Sequence, residues 1–207
     1  MTERGSHSDG GLVIISGPSG VGKSTLTNAL LERLGDRARL SISHTTRPRR
    51  AGDRDGQHYT FVDRAAFEAG IAAGAFLEHA EVYGNFYGTP RGPVERWIDE
   101  GRVVVLEIDQ VGATAVKEKL AGATGVFVLP PSEASLLDRL RTRGTDDEAT
   151  IQRRYGRAKD EIAAAKSSGV YDHFVVNDDF DRALEELMGV VGEMAEGGGR
   201  RAEGSGV

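Results

Sequence analysis

The sequence contains no cysteine, which excludes disulfide staples and thiolate metal ligands. It lacks any apolar run approaching the roughly 20 residues that a helical membrane span requires. Its opening, MTERGSHSDGG, has no apolar core of the kind that drives secretion. Nor is there an excess of positive charge. The 26 Lys and Arg stand against 32 Asp and Glu, a net charge of -6, which argues against general binding of nucleic acid or anionic membranes. Any recognition of phosphate must therefore come from locally clustered basic residues. No internal repeat is found. These absences predict a soluble, cytoplasmic chain with no nucleic-acid, membrane or obligatory protein partner.

What is present is a chain of 207 residues, 39% hydrophobic, long enough for one sizeable core and a small inserted module. Residues 1–10 and 196–207 are Gly-rich, polar and aperiodic, and read as disordered tails. Between them, Leu12–Ser16, Arg102–Asp109, Thr124–Leu129 and His173–Val176 are nearly continuous apolar runs, as expected of strands covered on both faces. Leu26, Leu30 and Leu34 recur at helical spacing and stop at Gly35. Further helical patterns occupy Val94–Asp99, Ala113–Leu120, Ser135–Leu140 and Phe180–Val191. Strands alternating with helices predict an α/β fold, a three-layer parallel sheet. Two segments interrupt the rhythm. Residues 40–89 read as a small, partly antiparallel lobe, and residues 141–167, charged and alanine-rich, as an exposed helical flap. The core is then 11–39, 90–140 and 168–195, within one domain of 11–195.

Strand and helix at the start of this unit flank Gly17-Pro18-Ser19-Gly20-Val21-Gly22-Lys23-Ser24-Thr25, which fits G-x-x-x-x-G-K-[S/T]. Glycines let successive backbone N–H groups approach phosphate oxygens closely, and the helix N-terminus adds a favourable dipole. Lys23 is placed to bridge the outer phosphates of a nucleoside triphosphate, and the Ser24 hydroxyl to ligate Mg²⁺. The bland alternative is an ordinary Gly-rich turn. No Asn/Thr-Lys-x-Asp tetrad follows, which argues against a GTPase, and the chain is too short for a motor or large ATPase. A small P-loop protein with an acceptor lobe and an arginine-bearing flap has the organisation of a nucleoside monophosphate kinase.

The lobe opens on SISHTTRPRRAGDRDGQHYTF, four arginines in an acidic chain. Guanidinium forks bind the oxygens of a phosphate monoester in pairs. A solvated charged loop is the competing reading. Together with GPSGVGKST, FLEHAEVYGNFYGT, EID, RLRTRGT with Arg154 beyond it, and VVND, this segment makes the chain resemble the guanylate kinase family, in family order from about Leu12 to Leu187.

The resemblance implies ATP-dependent phosphorylation of GMP to GDP, and of dGMP, with Mg²⁺, in purine nucleotide metabolism. It matches Glu78 to the carboxylate that accepts from guanine N1–H and the 2-amino group. Ser43 and Thr89 match hydroxyls on the guanine edge, and Asp109 a carboxylate near the amino group. Arg47, Arg50, Tyr59 and Tyr87 match the grip on the GMP phosphate, Arg139, Arg143 and Arg154 the lid arginines, and Asn177 a position near the ATP adenine. Glu107 is placed near the Mg²⁺ shell or the cradle lysine. The family pattern Thr-Thr-Arg-x-Pro-Arg is here Thr45-Thr46-Arg47-Pro48-Arg49-Arg50, which leaves Arg49 as an alternative to Arg50. Asp53 stands where Glu is usual, and Gln110-Val111-Gly112 where x-Gln-Gly is commoner. A non-catalytic binding module of the same fold, or a kinase of another small phosphorylated acceptor, are the rival readings.

Overall fold

The computed structural model describes residues 10–82, 84–142 and 147–197. The first nine residues and residues 198–207, most of the two expected tails, lie outside that description, as does Arg143.

Five parallel strands form the central sheet: β1 (Gly11–Ser16), β2 (Ala38–Leu40), β7 (Val103–Glu107), β8 (Thr124–Leu129) and β9 (His173–Val176), in the order β2-β7-β1-β8-β9. Side chains on a strand alternate between faces, and β1 divides the core accordingly. Val13 and Ile15 pack with Leu26, Leu30 and Leu34 of α1 (Lys23–Leu34) and with Leu184 and Leu187 of α7 (Phe180–Gly197). Leu12 and Ile14 face the other way, toward Val94 of α3 (Arg91–Asp99) and Val116 of α4 (Gln110–Lys119). In α7 the buried Ala183, Leu184, Leu187, Val190 and Val191 trace a single helical stripe. That helix runs to Gly197, two residues into the expected C-terminal tail.

The lobe is a second, four-stranded sheet of order β4-β3-β6-β5, built from β3 (His44–Thr45), β4 (Thr60–Phe61), β5 (Phe76–Val82) and β6 (Asn85–Pro90). The β3/β4 pair is parallel and the other pairings are antiparallel. A helix not anticipated from sequence, α2 (Arg64–Ala72), is capped by Asp63, whose carboxylate accepts from Ala66 N–H at 2.7 Å. It inserts Phe67 between Phe76 and Phe86, with ring centroids 4.4 and 5.2 Å away. The expected flap is largely α6 (Glu148–Ser168), which packs on α5 (Glu133–Thr142), most of it within the expected core, through Leu136, Leu140, Ile151 and Ala158. No helix among the described residues is long and apolar enough to cross a membrane.

Candidate active site

Most of the described residues expected to carry chemistry border pockets around the carboxyl ends of β1 and β7, where open α/β sheets place their ligands. The residue after β1, Gly17, is packed so closely that a Cβ there would lie 2.5 Å from the Val128 carbonyl oxygen. The loop closes on Gly22, whose φ of 97° lies in the left-handed region and which serves as the N-cap of α1. Val21 is fully buried, so it contributes only its backbone to the loop's outer surface.

Below the loop, Asn177 is 7% exposed and its Nδ2 donates to the Val21 carbonyl at 2.8 Å. This hydrogen bond makes the amide a brace beneath the loop. Arg139 of α5 reaches the same place. Its guanidinium donates to Val21 O at 3.2 Å and to Asn177 O at 2.8 Å. A pocket of about 390 Å³ lies here, lined by Ser19, Lys23, Ser24, Thr25 and Arg139 among others. Lys23 Nζ folds back onto the carbonyls of Gly17 (2.6 Å) and Pro18 (3.1 Å). Ser24 Oγ donates to Glu107 Oε1 at 2.8 Å, so the residue held open between two indirect roles stands beside the loop hydroxyl.

Across the sheet edge a second cavity of about 250 Å³ is bordered by Ser43, Tyr59, Glu78, Tyr87 and Asp109. Its polar floor depends on a β-bulge. Phe76 pairs with Pro90 and Glu78 with Thr89, so Leu77 is the extra residue, and the shifted register sets Glu78 opposite Thr89. Thr89 Oγ1 donates to Glu78 Oε1 at 2.6 Å, and the two side chains are buried together. Burial pushes the Glu78 carboxyl above its ordinary range, against the hydrogen bond from Thr89. Asp109 caps α4, accepting from Gly112 N–H at 2.9 Å through Oδ1.

The cavity continues into a polar chamber bordered by Arg47, Arg50, Asp53, His58, Tyr59 and Tyr87. Arg47 forms an ion pair with Asp53 at 2.9 Å, the side chains being only 10% and 15% exposed. Asp53 Oδ2 also accepts from Arg50 N–H at 2.6 Å. That double contact holds the carboxyl below its usual range, with the Arg47 hydrogen bond the larger cause. Arg50 faces the chamber, whereas the guanidinium of Arg49 lies 5.2 Å over the Phe61 ring. Tyr59 and Tyr87 meet edge to face at 5.8 Å, with Arg47 5.4 Å over Tyr59. Burial raises the Tyr59 hydroxyl pKa.

A wider cleft joins the two pockets, and α6 supplies one wall through Arg157, Asp160 and Glu161 opposite Lys23 and Asp109. Burial raises the Glu161 carboxyl, opposed first by the charge of Lys23 and then by that of Arg157. Sequence reading singled out neither Arg157 nor Glu161. Their i, i+4 spacing was the available signal, but nothing in it says which face of α6 turns inward. Arg154, the third expected lid arginine, is half-buried three residues before Arg157.

A Gly-rich loop after β1 with a pocket beside Lys23 and Ser24, and an acid-lined cavity between the end of β7 and the second sheet, are the arrangement of a P-loop phosphotransferase. The sequence profile described as guanylate kinase matches residues 9–194. The guanylate kinase of Alkalilimnicola ehrlichii is 49% identical over 181 residues, 87% of each chain. That of Thiobacillus denitrificans is 49% identical over 184 residues, 88% of this chain and 86% of the other. A crystal structure of guanylate kinase from Anaplasma phagocytophilum superposes with a TM-score of 0.71 at 33% identity, covering 90% of this chain and 86% of that one. The chain belongs to the guanylate kinase family.

Proposed function

We propose that the protein is an ATP:GMP phosphotransferase, converting ATP and GMP, or dGMP, to ADP and GDP. The observation that carries this reading is Glu78, a buried carboxylate fixed by Thr89 on the floor of a cavity that opens toward the phosphate loop. Guanine presents N1–H and the 2-amino group as adjacent donors, and a carboxylate accepts from both. Adenine has no N1–H. A site built around such a pair discriminates against a base lacking it by roughly 10⁴-fold or more, because its polar groups are left unpaired.

In this reading Ser43 and Asp109 border the base, while Arg47, Arg50, Tyr59 and Tyr87 hold the 5′-phosphate in the adjoining chamber. Residues Gly17 to Thr25 receive the polyphosphate, and Lys23 exchanges its carbonyl contacts for the outer phosphates. The Ser24 hydroxyl and the Glu107 carboxylate are hard oxygen donors 2.8 Å apart, which fits Mg²⁺ at this corner. A Mg²⁺ ion held there would supply positive charge to offset that of the phosphates.

A phosphate oxygen of GMP then attacks the γ-phosphorus in line as the ADP oxygen departs, so no covalent enzyme intermediate is needed. Holding both nucleotides in register supplies roughly 7–11 kcal/mol of the barrier lowering in favourable cases. Arg139, Arg143 and Arg154 offset charge on the moving phosphoryl group, with the first already at the rim of the loop pocket. The test is ADP formation from ATP and Mg²⁺ with GMP, dGMP, AMP, UMP and ribose phosphates as acceptors. GMP-dependent turnover is expected, and its absence overturns the reading. In the same assay Lys23→Ala is expected to abolish transfer in a folded protein.

A further inference from the structure

The first turn of α4 runs against the carboxylate on which base recognition depends, and the residue at the contact is Gly112. Its φ is not in the left-handed region, so its backbone does not require glycine. It is buried inside a helix, where glycine is less favourable than alanine by about 1 kcal/mol. Space explains the choice. A Cβ on Gly112 would lie 3.3 Å from Glu78 Oε2 and 3.4 Å from both Glu78 Cδ and Ile108 Cδ1.

Glu78 has little room to yield. Thr89 holds Oε1 at 2.6 Å, and the residue is 6% exposed. The far end of α4 fastens the same strand, since Lys119 Nζ donates to the Leu77 carbonyl at 2.5 Å. The near end is fixed by Asp109, which accepts from the N–H of Gly112 itself. Both carboxylates expected at the guanine edge therefore take their positions from one helical turn.

We propose that Gly112 is a specificity-determining position that sets the location of Glu78 relative to Asp109, and with it the preference for a base carrying both N1–H and a 2-amino group. The proposal rests on the guanylate kinase reading above. An added methyl shifts the Glu78 carboxylate by a few tenths of an ångström. Recognition of the N1–H/2-amino pair then suffers more than recognition of hypoxanthine, which keeps N1–H and lacks the amino group.

The test compares wild type, Gly112→Ala and Gly189→Ala with GMP, IMP and ATP as varied substrates. Gly189 is an exposed glycine of α7 with open space around its Cβ position, and it controls for a generic glycine-to-alanine change in a helix. Gly112→Ala is expected to raise KM for GMP roughly tenfold, leave KM for ATP unchanged, and lower the GMP:IMP ratio of kcat/KM, while Gly189→Ala changes none of these. A purely structural role for Gly112 would lower the melting temperature without moving that ratio. Wild type preferring GMP with an unaltered ratio in Gly112→Ala overturns this inference alone; wild type without GMP-dependent turnover overturns the parent reading with it. Should Gly112→Ala lose its cooperative melt, Glu78→Asp/Gly112→Ala carries the test. The shorter carboxylate leaves room for the methyl, so the double variant is expected to melt with Glu78→Asp alone, and a persistent loss overturns the proposal.

Discussion

Ser24 and Glu107, 83 positions apart in sequence, meet through a 2.8 Å hydrogen bond from the serine hydroxyl to Oε1 of the glutamate. One lies two residues after the last glycine of the loop and the other ends the neighbouring strand β7, so parallel pairing of β1 and β7 brings them together. Glu107→Gln keeps the shape and removes the charge. It is expected to raise the Mg²⁺ concentration giving half-maximal rate by roughly tenfold, the range seen when groups that orient a metal site are changed. A Mg²⁺ titration at saturating ATP and GMP reads this directly, and an unchanged midpoint would assign Glu107 to the nucleotide pockets alone.

If Glu78 reads the base as proposed, its acidity bears on recognition. Burial raises its pKa in the folded chain above the unfolded value, so the folded state binds its proton more readily. The ionised group therefore weighs against stability at pH values above its folded pKa, and that penalty is relieved as the pH falls through it. Binding runs the other way, because only the carboxylate accepts from both guanine donors. KM for GMP is expected to rise on the acid side at a higher pH than an ordinary glutamate would give, while KM for ATP does not. Glu78→Gln removes the buried charge and retains an acceptor for Thr89. It is expected to melt no lower than wild type at neutral pH yet lose GMP turnover by roughly 10²-fold or more. A parallel loss of stability and of turnover would make the residue structural.

Strong periodicity made the core readable from sequence. Leu26, Leu30 and Leu34 announced α1, and the run from Leu12 to Ser16 announced β1, because each pattern reports burial on a definite face. Two elements were missed for the opposite reason. β2 is only three residues long, too short to carry a pattern, and exists because its backbone pairs with β7. α2 buries a single residue, Phe67, so it has no stripe to recognise.

The site shows the same division. Residue types at fixed spacing pointed to the loop, and family order pointed to Glu78 and the arginines. What Leu77 does as a bulge, which way Asn177 turns and why Gly112 has no side chain all depend on contacts between distant segments. No local pattern encodes those.

In the proposed reading Asp53 acts on the acceptor chamber through its ion pair with Arg47. The ion pair is largely shielded and is reinforced by the Arg50 N–H bond, so it fixes the guanidinium at the chamber wall. Its lowered pKa means that Asp53 adds stability above its unfolded pKa, and that contribution fades as the pH falls through the folded value. Asp53→Ala is expected to raise KM for GMP roughly tenfold with KM for ATP unchanged, since a misplaced binding group weakens alignment at that substrate alone. Steady-state kinetics with each substrate varied in turn distinguish this from a general loss of folding, which would move both constants.

Asn177 offers the sharpest separation between a brace and a ligand contact. Its Nδ2 donates to Val21 O, and a Cβ on Gly22 would lie 2.5 Å from the same nitrogen, so the amide fills the space directly beneath the loop. Asn177→Ala removes a buried donor and is expected to destabilise the fold by about 1–3 kcal/mol. For a chain of this size that lowers the melting temperature by roughly 2–4 °C per kcal/mol. Asn177→Asp is nearly isosteric but sets a carboxylate oxygen against the Val21 carbonyl, acceptor against acceptor. It is expected to destabilise at least as much as the alanine change despite preserving shape, and to raise KM for ATP because the loop above it loses support. A contact with adenine alone would instead weaken ATP binding and leave the melting temperature of both variants at the wild-type value, and calorimetry without nucleotide decides between the two.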